Sequence, residues 1–247
     1  TGFNRYGSPV SSWNIVSCAA MADRDYRDPV NRSCNVGLWF WQTNNALAEY
    51  NEVSHTVHKA PGAAGGCDGT AFDIDYAQDG PVFQYNYSHN NEGGFMLLCS
   101  DTPEHRGIVR YNLSVDDFAI YSVAPCAGNP ATSLDGIIMH NNTFVASAPK
   151  FATEGSMEFA KRMTGLFGNF EFRNNIVYAT EPVTEENFFF CGANCTNNVF
   201  HNMPTYGTAA IQADPLFQNP TLRGDGAAVA KGFRLAGGSP AACAGIA

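Results

Sequence analysis

Two aspartates set two residues apart carry the clearest chemical signal in the chain. In Phe72-Asp73-Ile74-Asp75 apolar and acidic residues alternate, and alternate side chains of a strand share a face. Phe72 and Ile74 are expected to point inward, leaving Asp73 and Asp75 together in solvent. Leu38-Trp39-Phe40-Trp41 has the same period and would present Trp39 and Trp41 outward. Paired carboxylates supply an acid and a base for cutting a glycosidic bond. Indoles stack on the apolar faces of sugar rings. The expectation is a groove in which Asp73 and Asp75 are catalytic and Trp39 and Trp41 hold the substrate. With Asp79, the same acids would instead offer calcium a set of hard oxygens, as a lyase acting on uronates needs. Such a lyase also needs a base, for which Lys59 and Arg110 are the candidates. A chain of net charge −9 repels a polyuronate, so hydrolysis ranks first, with no cofactor, and calcium belongs to the alternative.

The elements that would position these residues come from a repeat. The pattern apolar, polar, Tyr or Asn, then Asn ends at Asn51, Asn86, Asn112, Asn142, Asn175 and Asn198, at intervals of 35, 26, 30, 33 and 23 residues. Ser11-Ser12-Trp13-Asn14 is a weaker earlier match. A fixed motif with variable spacing implies regular strands joined by connections of differing length. Alternation around each anchor indicates half-buried strands and no helix. Further strands precede several anchors, at residues 38–41, 72–75 and 95–98. One such unit cannot bury its apolar face alone, so the units must stack. The arrangement expected is an all-β, right-handed parallel β-helix of about seven coils, with the six asparagines forming an inner ladder whose amides satisfy one another. Residues 1–247 are taken as one domain, with 1–35 a loop-rich lead-in or partial first coil, in a chain expected to be part of a longer protein.

The stretch Gly69-Thr70-Ala71-Phe72-Asp73-Ile74-Asp75, followed by residues 83–95 (FQYNYSHNNEGGF), resembles secreted right-handed parallel β-helix proteins of the pectate-lyase-like type, many of them carbohydrate-active. Ala213-Asp214-Pro215-Leu216-Phe217, Phe233-Arg234-Leu235 and Gly238-Ser239-Pro240-Ala241 resemble the close of such domains. The resemblance spans roughly residues 36–243 and implies the fold and an extracellular, polysaccharide-directed role. It carries neither the paired-aspartate and Gly-His-Gly signatures of polygalacturonases nor a full pectate lyase set. A non-catalytic glycan-binding or structural module is the third reading.

In this frame the outward position two before each anchor reads Glu49, Gln84, Arg110, His140, Arg173 and Thr196, a stripe suited to hydrogen-bonding a glycan. Arg110, His89 and Glu92 are added as substrate contacts, with His55 and Asp68 nearby in sequence and Asp101, His105, Asp116 and Asp117 as reserve candidates. Fourteen Lys+Arg against 23 Asp+Glu argue against nucleic acid and against an anionic membrane surface. No apolar run reaches the length of a membrane span. The order of a Ser-His-Asp triad and a phosphate-binding glycine loop are both missing from the sequence. Eight cysteines without a CxxC pair point to an oxidising compartment, with Cys191–Cys195 the expected bridge. Among five sequons, Asn31 and Asn194 are the expected glycan sites, because ladder asparagines would face inward.

Overall fold

The computed structural model describes residues 36–57, 69–75, 77–99, 106–124, 136–147, 169–183 and 194–245, and the backbone of three short strands before them. The strands fall in successive triplets. The first is β1 (Gly2–Asn4), β2 (Val10–Ser12) and β3 (Ile15–Ser17), the second β4 (Leu38–Trp41), β5 (Leu47–Glu49) and β6 (Glu52–Ser54). Next come β7 (Thr70–Ile74), β8 (Val82–Gln84) and β9 (Tyr87–His89), then β10 (Gly94–Cys99), β11 (Gly107–Arg110) and β12 (Leu113–Val115). A fifth triplet is β13 (Tyr121–Ala124), β14 (Ile137–His140) and β15 (Thr143–Ala146). Two pairs follow, β16 (Glu171–Arg173) with β17 (Ile176–Ala179) and β18 (Cys195–Thr196) with β19 (Val199–His201), and the last strand is β20 (Ile211–Gln212).

Members of each triplet go to three different sheets. The first sheet runs β1-β4-β7-β10-β13, the second β2-β5-β8-β11-β14-β16-β18 and the third β3-β6-β9-β12-β15-β17-β19-β20. Every pairing between these strands is parallel. The chain is therefore all-β with parallel sheets, as expected. The one helix among the described residues longer than a single turn, α1 (Ala227–Gly232), is six residues long.

The asparagines do form a ladder. Each is buried, from Asn175 and Asn198 at 0% to Asn112 at 3% exposed. Its Oδ1 accepts from both the backbone N–H and the side-chain Nδ2 of the preceding member, at 2.9–3.2 Å, from Asn51 through Asn198. The second Nδ2 hydrogen goes to a main-chain carbonyl, such as Ala48 for Asn86 and Phe83 for Asn112. All four polar valences of each inner amide are thus met, which is what burial of a polar group demands.

A second, shorter ladder lies one turn further along the chain. Thr56 N and Oγ1 donate to Asn91 Oδ1 at 3.0 and 2.9 Å. Asn91 N and Nδ2 donate to Asp117 Oδ1 at 2.9 and 2.7 Å. Between the sheets sits an aromatic core in which Phe72, Phe95 and Phe144 meet edge to face at 5.5 Å centroid spacing. Burying each such ring contributes roughly 1.5–3 kcal/mol. Residues 213–245 lie across the third sheet, where Phe217, Val229 and Phe233 cover Tyr87, Leu113, Val115, Val145 and Tyr178.

Candidate functional site

Strand β4 pairs with β7 in the register Leu38↔Phe72, Trp39↔Asp73 and Phe40↔Ile74. Alternation sends Leu38, Phe40, Phe72 and Ile74 into the core, each at most 1% exposed. Trp39 and Asp73 share the opposite side, with Leu97 of β10 next to Asp73 in the same row. Trp39 and Trp41 are half-buried, as is Asp75 just past the strand. Asp73 departs from expectation: it is 3% exposed rather than solvent-facing. Period two fixes the side a residue takes but not whether that side is covered, and all five residues of β7 are buried.

The calcium set is not assembled. Both oxygens of Asp79 are held by Arg106, whose Nε and Nη2 donate to Oδ1 and Oδ2 at 3.0 Å, and Asp79 pairs by backbone with Asn44 rather than lying on β7. Among the described residues, Asp73, Asp75 and Asp79 do not converge as a set of metal ligands. Asn31, Lys59, Asp68, Asp101, His105 and Cys191 lie outside the described residues, and with Cys191 the expected bridge to Cys195. Asn194 is exposed.

The stripe forms on the second sheet as one in-register row: Glu49, Gln84, Arg110, His140, Arg173, Thr196. Gln84 Nε2 donates to Glu49 Oε2 at 2.9 Å, and Arg110 Nε donates to Gln84 Oε1 at 3.0 Å. Burial and the neighbouring Arg173 and Arg110 lower the His140 pKa from its ordinary value, against the bond to Asn141.

Beside this row is a feature the sequence reading missed. The residue before each ladder asparagine has left-handed backbone, with φ of 55° or 56° at Tyr50, Tyr85, Tyr111, Asn141, Asn174 and Asn197. The three tyrosines are 42–45% exposed and stack at 5.3 Å with their planes 9° and 10° apart. Arg110 lies over the Tyr111 ring at 5.7 Å. Where the column changes from tyrosine to asparagine, a cavity of about 470 Å³ opens, lined by Tyr111, Asn141, Asn174, Asn197, Leu235 and residues 241–245. The signal was in the motif, whose third position is Tyr or Asn, but it served there only to locate the anchor.

His89 is a correction of a different kind. It is 1% exposed, its ring lying on Tyr87 at 4.8 Å and meeting the edge of His55 at 5.5 Å. Its Nε2 stands 3.3 Å from Glu52 Oε1 and 3.3 Å from Asp225 Oδ1, so it faces the C-terminal segment rather than an open groove. Glu92 is exposed. Asp116 takes Arg223 Nε at 2.7 Å on one oxygen and Ser147 N–H at 2.7 Å on the other. Asp117 is buried at the end of the second ladder, and burial pushes its carboxyl above the ordinary value against hydrogen bonds from Ser88, Asn91 and Ser114. Of the reserve aspartates, the two described ones, Asp116 and Asp117, are held by the fold.

No protein-family profile matches the chain. It is 28% identical over 229 residues to the Lacto-N-biosidase of Bifidobacterium longum subsp. longum, an alignment covering 89% of this chain and 13% of that protein. Among solved structures it is similar to the GH136 lacto-N-biosidase of Eubacterium ramulus in native and selenomethionine forms, with 28% identity, TM-scores of 0.48 and 0.46, and coverage of 70% of this chain and 24% of that one. The chain thus resembles in sequence one stretch of a much longer lacto-N-biosidase.

Proposed function

We propose that the chain is the β-helical part of an extracellular glycoside hydrolase acting on oligosaccharides, of the lacto-N-biosidase kind. One observation carries the reaction class: the sequence likeness to a protein of that name extends over 89% of this chain. The fold half of the proposal rests on strand order, since each sheet takes one strand from each of the first five triplets. Crossovers between parallel strands are right-handed in almost all proteins, which gives the hand of the helix.

The site proposed is the Trp39–Asp73 row with Asp75 beside it. Two residues along a strand put the Asp73 and Asp75 Cβ atoms about 7 Å apart, and that spacing assigns neither an inverting nor a retaining course. Their surroundings differ, one buried and one half-buried, and unlike surroundings let one carboxyl hold a proton while its neighbour holds a charge. Trp39 and Trp41 supply the sugar-stacking surface, while Arg110 and the tyrosine column belong to the second sheet and its edge and offer a separate stacking surface.

The test is kinetic, on the whole protein with an oligosaccharide panel. Asp73→Asn and Asp75→Asn should each lower kcat at least about a hundredfold with circular dichroism unchanged. Trp39→Ala should raise KM more than it lowers kcat. Full activity in both aspartate variants would remove the site from this row. Unsaturated products that disappear with a chelator would identify a lyase instead. The tyrosine column also suits a non-catalytic glycan-binding module, which would bind the panel and release nothing.

A further inference from the structure

Glu52, His89 and Asp225 come from β6, β9 and the segment just before α1, positions 37 and 136 residues apart along the chain. Their ligand atoms all lie within 4.8 Å of one another. We propose that they bind one divalent transition-metal ion, with zinc the representative, a site separate from the Trp39–Asp73 row.

Distance is the first argument. A protonated histidine paired with carboxylates makes charge-assisted hydrogen bonds of about 2.7–2.9 Å. Here Nε2 stands 3.3 Å from both carboxylate oxygens, which is long for such a bond. In a tetrahedral zinc site with bonds of about 2.0–2.1 Å, neighbouring ligand atoms are about 3.3 Å apart. Two edges of the triangle already have that length, and closing the third requires only a small approach of Asp225. That residue lies between Gly224 and Gly226, with φ of 103° and 89°, and no atom stands within 4 Å of where a Cβ would sit on either. Both glycines are themselves bonded to the sheet, Gly224 O by the Tyr87 hydroxyl and Gly226 N–H to Glu52, so the approach falls to the exposed Asp225 side chain.

The ligand set is the second argument. One imidazole and two carboxylates suit zinc, manganese or iron, and a divalent charge offsets the two acids. The two members on the sheet, buried His89 and half-buried Glu52, are pre-positioned. His89 is fixed between Tyr87 and His55, Glu52 Oε1 accepts the Gly226 N–H at 2.8 Å, and the Tyr87 hydroxyl donates to Gly224 O at 2.7 Å. Asn90 carries its side-chain amide 3.1 Å from His89 Nδ1. With a metal on Nε2 the proton sits on Nδ1, and a flip of the Asn90 amide presents Oδ1 to accept it. Asp225 is 82% exposed, so the fourth position opens to solvent, where water or a substrate oxygen completes the shell.

The experiment is calorimetric titration of zinc chloride into chelator-treated protein, with cobalt(II) absorption as a second readout. One equivalent of zinc should bind, and cobalt should give the intense visible bands of a tetrahedral site. Asp225→Asn, on an exposed loop, should weaken binding at least about tenfold, and His89→Gln should abolish it. No zinc bound at about 1 mM, binding unchanged in both variants, or a site that takes calcium and refuses zinc would each overturn the proposal.

Discussion

A left-handed backbone suits asparagine far better than tyrosine, yet Tyr50, Tyr85 and Tyr111 occupy positions that Asn141, Asn174 and Asn197 fill in the later repeats. Strain kept at an exposed position points to use rather than stability. Tyr85→Asn should therefore leave the urea-unfolding free energy almost unchanged, within about 0.5 kcal/mol, while weakening oligosaccharide binding measured by calorimetry. Equal losses of stability and binding would make the stack a structural device. The ladder residues make an opposite prediction about modification. Asn86 and Asn112 lie in sequons, but their amides are buried and donate twice each, so glycopeptide mass spectrometry of protein made in a glycosylating host should find both bare. At this scale the sequence gives residue type and side. It does not give the convergence of Glu52, His89 and Asp225, because residues so far apart in the chain meet only once the C-terminal segment has docked.

Each ladder is an element whose members depend on their neighbours. Asn112→Ala would strip Asn86 N and Nδ2 of their acceptor and Phe83 O of its donor. Each buried group left unpaired costs about 1–3 kcal/mol, to be read as a fall in urea-unfolding free energy. Asp117 ends the second ladder where an asparagine would match the first. Burial raises its carboxyl above the ordinary 3.8, so between that value and the folded one the native state binds more protons than the unfolded state. Stability then falls as pH rises through this window, and the loss is complete above it. Asp117→Asn keeps an oxygen for Asn91 and should be more favourable, relative to wild type, at pH 7 than at pH 3, in urea melts at both. An offset that does not change with pH would show that Asp117 is not held neutral. The ladder was legible because its spacing and type recur six times. The burial of Asp73 was not, because strand alternation says nothing about what lies over the outer side.

At the scale of the molecule, each strand hydrogen-bonds only to its neighbours in a sheet and the rings between the sheets link strands of the same or nearby coils, so stability should behave as a sum of near-neighbour terms. Asn51→Ala and Asn198→Ala, at opposite ends of the ladder, should add within about 0.5 kcal/mol, whereas Asn86→Ala and Asn112→Ala, in direct contact, should depart from additivity by at least that much. Denaturant melts of the four single and two double variants decide this. The repeat period was readable from the chain, but how far it continues was not, since the curated relative is aligned over only 13% of its length. The C-terminal segment alters the mechanics of such a stack. A pile of strands held only by nearest neighbours would peel leaf by leaf from an end. Here Gly226 is bonded to Glu52 of β6, Gly224 to Tyr87 of β9, and Arg223 to Asp116 just past β12. One strap thus crosses three successive leaves, and a force applied at either end must break that strap before those three can separate one at a time.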